Sequence, residues 1–243
     1  MANTIEATDN WTIELDKNFD ALRNKVFMRL AGLSFHTLNQ AKCRQLYVSY
    51  LLESYAYVRH TSRILALAAS RMEEVHQPIR SFLFRHAVAE DKHHHMILRD
   101  LKWLDVSTEN AQRYEPSIIC QALVGYVYKV SAQDNPVGIL GDAYFLENMS
   151  LSSADGFANQ ILERCDLPEK AVSFMRNHGK LDVEHVKSLQ RVFSYVKRSE
   201  DCESILKTMH VVGGLYADMM SGLSAVATTR NQQPELVEEL VGA

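Results

Sequence analysis

The chain has 243 residues, of which 47% are hydrophobic and 23% charged, and its formal net charge is −4. This length can enclose one sizeable core or at most two small ones, and the slightly acidic balance excludes a basic face of the kind that drives nucleic-acid binding. No apolar run approaches roughly 18 residues, so we expect no membrane span, and the polar, acidic N-terminus does not resemble a signal peptide.

Apolar residues recur at helical spacing almost throughout the chain, which predicts an all-α protein. Prolines stand at or near the expected first turn of several helices, where the missing N–H is tolerated. In chain order, the predicted helices cover Trp11–Leu30, Asn39–Ser70, Pro78–Trp103, Pro116–Ser131, Pro136–Ser150, Asp155–Arg164, Pro168–Lys197 and Asp201–Thr228. We predict a single helical domain over residues 1–243, with residues 1–10 and 229–243 as flexible tails.

The third predicted helix carries the first chemical motif. Glu90 and His93 are spaced i, i+3, the Glu-x-x-His unit that carboxylate-bridged di-metal proteins place on bundle helices. His94 lies at i+4 from Glu90 and could reach the same face, whereas His95 is turned away by about 140°.

A lone carboxylate interrupts the small and apolar run of the Pro136–Ser150 helix. Glu147 follows Ala143 to Leu146 and precedes Met149, and glutamate is almost never fully buried unless it is paired or bound to a metal. Asp142 lies five residues earlier and therefore projects from a different face, so we do not assign it as a ligand.

The Pro168–Lys197 helix carries the second histidine motif, His178-x3-Asp182-x2-His185. On a helix that advances about 100° per residue, these side chains fall within about 60° of one another. Alone, the pattern could be an ordinary polar helix face. Together with the upstream residues it gives three carboxylates and three imidazoles, which suits two iron or manganese ions better than one four-coordinate zinc ion.

The order of these motifs resembles the heme-oxygenase-like non-heme di-iron oxidases, iron-containing redox enzymes that share the helical bundle of heme oxygenase and TenA. The resemblance runs from about Asn39 to Phe193. It includes the local matches Tyr55-Ala-Tyr57-Val-Arg-His60, Asp100-Leu101 and Asn135-Pro136. It implies a bundle of about seven to nine helices.

Carried over residue by residue, the resemblance implies that two iron ions are held by six catalytic ligands: Glu90, His93, Glu147, His178, Asp182 and His185. The family's spacing to Asp100-Leu101 favours His93 over His94. The family often has a further carboxylate or a substrate contact on the second helix, at about Ala56 here. Glu53 is thus either an extra ligand or substrate contact or an ordinary hydrogen-bonded carboxylate. His60 and Tyr57 are weaker candidates for the same roles.

The resemblance further implies an oxygen-dependent oxidase or oxygenase that acts through a peroxo-di-iron(III) state. The expected substrate is a small amino acid or carboxylic acid, which the enzyme desaturates, cleaves, decarboxylates or N-oxygenates. We expect a biosynthetic role and a homodimer, with an external electron donor as a further partner. Four scattered cysteines without a C-x-x-C motif indicate buried thiols of a reducing cytoplasm.

Three alternatives remain at this point. A metal-free TenA-like hydrolase or cofactor-binding protein would use a cysteine nucleophile, for which Cys120 is the candidate. A true heme oxygenase would need an axial histidine near the first helix, and His36 is the candidate there. A non-enzymatic helical partner protein would need neither residue. Each alternative leaves the three metal-ligand motifs unexplained.

Overall fold

A computed structural model describes residues 11–31 and 38–229, with side chains for residues 11–29, 38–177 and 183–223. The terminal segments predicted as tails and the heme-ligand candidate His36 lie outside these ranges, apart from the backbone of Thr229. In the described part, the helices are α1 (Trp11–Ala31), α2 (Gln40–Val58), α3 (Thr61–Arg71), α4 (Gln77–Glu90), α5 (His94–Lys102), α6 (Thr108–Arg113), α7 (Ile118–Ala132), α8 (Ile139–Cys165), α9 (Ser173–Phe193) and α10 (Ser199–Thr229). The all-α prediction is confirmed.

Two predicted helices are broken in the structure. The second is interrupted at Arg59 and His60, and the third at residues 91–93, so each becomes two helices. At the second break, the backbone N–H of His93 donates to the carbonyl oxygen of Glu90 at 3.2 Å, a tighter three-residue turn than an α-helix makes. These breaks contain neither proline nor glycine.

Conversely, the predicted helices Pro136–Ser150 and Asp155–Arg164 form a single helix in the structure. We expected a break near the serines after Met149, but α8 continues to Cys165. The hydroxyl of Ser152 donates to the carbonyl oxygen of Asn148 at 2.7 Å, and that of Ser153 donates to the carbonyl oxygen of Met149 at 2.6 Å. These hydroxyls bond back to the preceding turn, so the helix accommodates the serines without ending.

Helix α8 lies at the centre of the bundle, in contact with α9 on one side and α10 on another, while α1 packs along α10. The crossing of α8 and α10 is close at Gly141. A Cβ atom there would overlap the backbone carbonyl oxygen of Ile205 and lie 2.9 Å from the backbone nitrogen of Met209. This contact fixes the depth at which α8 presents its side chains to the interior. No helix within the described residues is both long and apolar enough to cross a lipid bilayer.

Candidate metal centre

Two potential ligands come from the last two turns of α4. His86 and Glu90 are four residues apart and share one helix face, and both are buried. The ring of Phe82, one turn before His86, stacks on the imidazole with centroids 5.3 Å apart and planes 16° apart. This stacking limits the directions in which the imidazole can point.

The break after α4 places a third potential ligand beside these two. In the tight turn that follows Glu90, the His93 Nδ1 atom lies 2.6 Å from Glu90 Oε2, and both side chains are buried. His94, by contrast, packs against the neighbouring His95 with ring centroids 4.2 Å apart. The structure therefore brings His93, and not His94, to Glu90.

Helix α8 supplies a buried carboxylate from the opposite side. Glu147 is 7% exposed, and its Oε1 atom lies 2.7 Å from the His86 Nε2 atom. The glutamate that interrupts the apolar run of α8 therefore points to the α4 histidine and not to solvent.

Helix α9 closes the cluster with His185. Its Nδ1 atom lies 3.4 Å from Glu90 Oε1 and 3.8 Å from Glu147 Oε1. The imidazole ring meets that of His86 edge-on at 4.7 Å. Residues from α4, α8 and α9 thus converge on one point in the interior.

The donor set fits iron. One ligand atom from each of His86, Glu90 and His185 can be chosen so that all three lie within 4.8 Å of one another, a separation that one ion can bridge. His93 and Glu147 adjoin the same group. A largely buried set of three imidazoles and two carboxylates without thiolates is typical of non-heme iron rather than of a structural zinc site.

The other two predicted ligands lie on the same helix as His185. The backbone of α9 is helical through residues 178 and 182, but the side chains of His178 and Asp182 lie outside those that the structure describes. Because a helix repeats every 3.6 residues, positions 178 and 182 share a face with position 185. Their assignment as ligands stays a prediction.

His86 was missed as a candidate. Its signal is present in the sequence: His86-x3-Glu90-x2-His93 has the same spacing as His178-x3-Asp182-x2-His185. The Glu-x-x-His unit was interpreted without its preceding turn, although a residue at i−4 lies on the same helix face. The same histidine–carboxylate–histidine spacing therefore occurs twice in the sequence, although His93 lies in the turn after α4.

The structure places Glu53 in a different environment. Its Oε1 accepts hydrogen bonds from the Tyr114 hydroxyl at 2.6 Å and the Ser117 backbone N–H at 2.8 Å, and its Oε2 accepts one from the Ser117 hydroxyl at 2.9 Å. Because three donors already bind this buried carboxylate, Glu53 is the ordinary hydrogen-bonded carboxylate of the two interpretations and not a metal ligand. Glu53 fastens the start of α7, since the Ser117 hydroxyl also caps that helix.

The two other secondary candidates differ from each other. His60 is a histidine with a partner, because its Nδ1 atom lies 3.1 Å from the Tyr128 hydroxyl. Tyr57 lines the cavity beside the metal-ligand cluster, where its ring meets that of Tyr216 edge-on at 6.5 Å. Of these two, only Tyr57 is placed where a substrate could touch it.

The start of α9 is held by a buried aspartate on α5. Asp100 accepts hydrogen bonds from the backbone N–H of Phe174 at 2.8 Å and from the backbone N–H of Ser173 at 3.1 Å. Burial raises the pKa of Asp100 to about 6, although these hydrogen bonds act in the opposite direction. The contact fixes the entry of the helix that carries His185.

A cavity of about 640 Å³ adjoins the cluster. His86, Glu90 and Glu147 line it together with Asp142, Tyr57 and Tyr216, and most of the remaining lining is apolar. Volumes of this size accept small-molecule ligands. Asp142 does leave α8 on a different face from Glu147, yet both side chains reach the same cavity.

Asp142 is the most exceptional group in this lining. It is 8% exposed, and its Oδ1 atom has no hydrogen-bond partner among the described residues. Removal from water raises the pKa of its carboxyl to about 7. A buried carboxylate without a donor is costly, so its presence beside the cluster requires an explanation.

We expect Asp142→Asn to stabilise the metal-free protein in a pH-dependent way. The folded-state pKa is about 7, above the ordinary value of 3.8, so ionisation of Asp142 lowers wild-type stability as pH rises between these values. The difference in unfolding free energy between variant and wild type should grow over this range to at most about 4 kcal/mol and level off above it. Urea unfolding at several pH values measures it, and a constant difference would contradict it.

Cys120, the candidate nucleophile of the metal-free alternative, lies in an unsuitable environment. The thiol is fully buried on α7, and burial together with the nearby Glu53 raises its pKa to about 12. A thiol of this kind stays protonated at neutral pH, whereas the thiolate is the nucleophile. The geometry gives this alternative no support.

Comparison with known proteins agrees with the fold and with the chemistry of the cluster. A family model described as iron-containing redox enzyme matches residues 48–212. No curated protein matches the chain significantly. Solved structures that share the fold include a domain of unknown function with a heme oxygenase-like fold from Shewanella denitrificans OS217, with 24% identity over 93% of this chain and 95% of that chain and a TM-score of 0.79. A TenA homologue from Pseudomonas syringae pv. tomato DC3000 is 12% identical over 90% of this chain and 93% of that chain, with a TM-score of 0.65. A TenA homologue from P. horikoshii OT3 is 18% identical over 89% of this chain and 97% of that chain, with a TM-score of 0.58.

Proposed function

Since the chain belongs to the family of iron-containing redox enzymes, we propose that it is an oxygen-dependent non-heme di-iron oxidase or oxygenase. In this proposal Glu90, His93, Glu147, His178, Asp182 and His185 hold two iron ions, and His86 is a seventh ligand. The substrate is a small amino acid or carboxylic acid bound in the adjoining cavity. The protein acts as a single catalytic domain that assembles as a homodimer.

One observation carries the proposal. Glu90 lies in contact with imidazoles from two separate segments, His93 at 2.6 Å and His185 at 3.4 Å. Glu147 reaches the same point from α8 and contacts His86 at 2.7 Å. Each of the two carboxylates contacts imidazoles of other segments inside the protein. Carboxylates that bridge two cations are arranged in this way.

The chemistry of the ligand types agrees with this function. Two ferrous ions, when bound, supply the electrons that let dioxygen react with a closed-shell substrate. Glu90 and Glu147 would contribute negative charge that favours the oxidised ions, and the imidazoles would contribute neutral donors. Seven ligands for two metals leave coordination positions for oxygen and substrate, as a catalytic centre requires.

The surrounding side chains would orient this centre and keep water out. Phe82 holds the His86 ring by stacking, and Asp100 fixes the start of α9, on which His185 lies. Residues that orient ligands commonly matter 10- to 100-fold for metal affinity or activity. The largely apolar cavity wall would exclude bulk water from the reacting groups.

His86→Ala tests the added ligand. We expect the variant to lose affinity for iron by about 10-fold or more and to consume oxygen more slowly than wild type after anaerobic loading with Fe(II). His210→Ala, which removes an exposed histidine of α10, is the control and should behave as wild type. An oxygen electrode and an iron assay measure both effects. Unchanged iron affinity in His86→Ala would remove His86 from the ligand set.

A further inference from the structure

The cavity wall carries an acidic side chain, Asp142, that is not among the proposed metal ligands. Three carboxylates line the cavity, those of Glu90, Asp142 and Glu147, and its described lining contains neither lysine nor arginine. Glu90 and Glu147 have imidazole partners, whereas the Oδ1 atom of Asp142 has none. A negative group is therefore built into the substrate volume without a protein cation to match it.

A ligand that carries positive charge would supply the missing partner. Burying a carboxylate without hydrogen bonds is unfavourable, and a cation that donates hydrogen bonds offsets that cost. The phenol rings of Tyr57 and Tyr216, which line the same cavity, offer aromatic faces that also attract an ammonium group. An anionic group, in contrast, would meet neither lysine nor arginine in the described lining.

The position of Asp142 also sets a distance. Asp142 and Glu147 are five residues apart on one helix, so their Cα atoms differ by about 7.5 Å along its axis. In a substrate whose cationic group pairs with Asp142, that group would therefore be separated by several bonds from the atom that faces the proposed metal ligands at Glu147. A short linear aliphatic chain could therefore extend from a cation at Asp142 towards the ligands at Glu147 within this cavity.

We propose that the substrate is an aliphatic primary amine or an amino acid with a basic amino group, and that Asp142 binds its ammonium group. The inference deepens the proposed function, because it names the substrate class for the same cavity. Asp142 acts here as a specificity-determining residue and not as a metal ligand.

The test compares three probes of equal length that differ in charge. Hexylamine, hexan-1-ol and hexanoate are titrated calorimetrically at pH 8 into full-length protein, both loaded anaerobically with Fe(II) and free of metal. We expect hexylamine to bind about 10-fold tighter than hexan-1-ol in both forms, as a charged hydrogen bond in a buried site would give. Equal or tighter binding of hexan-1-ol or hexanoate in the metal-free form would overturn the proposal, whatever the variants show.

Three variants assign the preference to one carboxylate. Asp142→Asn should bind hexylamine and hexan-1-ol equally. Asp155→Asn, which removes an exposed charge from the same helix, should keep the preference, and metal-free Glu147→Gln should keep it too. A preference that survives in Asp142→Asn, or that disappears in Glu147→Gln alone, would overturn the proposal.

The two proposals can fail separately. A protein that takes up no iron but keeps the Asp142-dependent preference for hexylamine contradicts the di-iron function and leaves the amine inference in place. A protein that takes up iron and consumes oxygen but shows no preference for hexylamine contradicts the amine inference alone.

Discussion

Replacing His93 with alanine is expected to remove iron from one of the two positions and to lower oxygen-dependent turnover by more than about 100-fold, since residues that merely orient ligands already cost 10- to 100-fold. The reason is geometric, because His93 is buried and its Nδ1 atom lies 2.6 Å from Glu90 Oε2. Its loss removes a proposed ligand and leaves Glu90 without one of its partners. Bound iron per chain and oxygen consumption measure the two effects.

The adjacent residue provides the matched control. His94→Ala removes the same type of side chain one position further along the chain. The His94 ring packs against that of His95, and its centroid lies 6.2 Å from that of the Tyr55 ring. We expect wild-type iron content and turnover, with a stability change within about 0.5 kcal/mol. Reversed results for the two variants would assign the ligand to His94, and wild-type behaviour of both would remove the Glu-x-x-His unit from the metal centre.

Gly141→Ala is expected to destabilise the protein by about 3 kcal/mol, at the upper end of what overpacking usually costs. A Cβ atom at this position would overlap the backbone of Ile205 on α10, and backbone atoms cannot rotate away as the end of a side chain can. Helices α8 and α10 would have to separate, which would also shift Glu147, six residues further along α8. Thermal unfolding and iron affinity measure the two consequences, and both should fall.

A second glycine of α8 serves as the control. Gly156 has open space where a Cβ would lie, so Gly156→Ala should stabilise the helix by about 0.5–1 kcal/mol through propensity alone. Equal effects of the two substitutions on the melting temperature would show that the close approach of α8 and α10 is not what Gly141 provides.

Most of the helices were predictable because apolar residues recur in the sequence at the 3.6-residue spacing of a helix. The short helix α6 was not predicted. The breaks that divide two of the predicted helices were not predictable. Residues 91–93 contain no proline or glycine, so nothing local marks the turn that brings His93 to Glu90. The serines after Met149 gave the opposite error, since their hydroxyls bond within the helix that we expected them to end.

Within the candidate site, spacing along one helix was a better guide than the surroundings of single residues. Glu90, His93, Glu147 and His185 were candidates from their spacing, their chemical type and the family resemblance, and the structure brings them together. The spacing of His86 could have marked it in the same way. Other outcomes depended on distant parts of the chain. The partners of Glu53 come from residues 114–117.

Asp142 shows the limit of helical geometry most clearly. The angle between Asp142 and Glu147 correctly separates their faces, but it does not reveal what covers each face. Residues of α1 and α10 complete the cavity wall around both side chains. Only the packing of several helices makes these two carboxylates part of one cavity.

The cluster of Glu90, His93, Glu147 and His185 is proposed to hold two iron ions that react with oxygen. Anaerobic titration of the metal-free protein with Fe(II), followed by rapid mixing with oxygen and visible absorbance, tests it most directly. We predict an uptake of about two irons per chain, as two metals sharing bridging carboxylates require, and a transient absorption band that depends on oxygen. No iron uptake, or uptake without any oxygen-dependent band, would contradict the account.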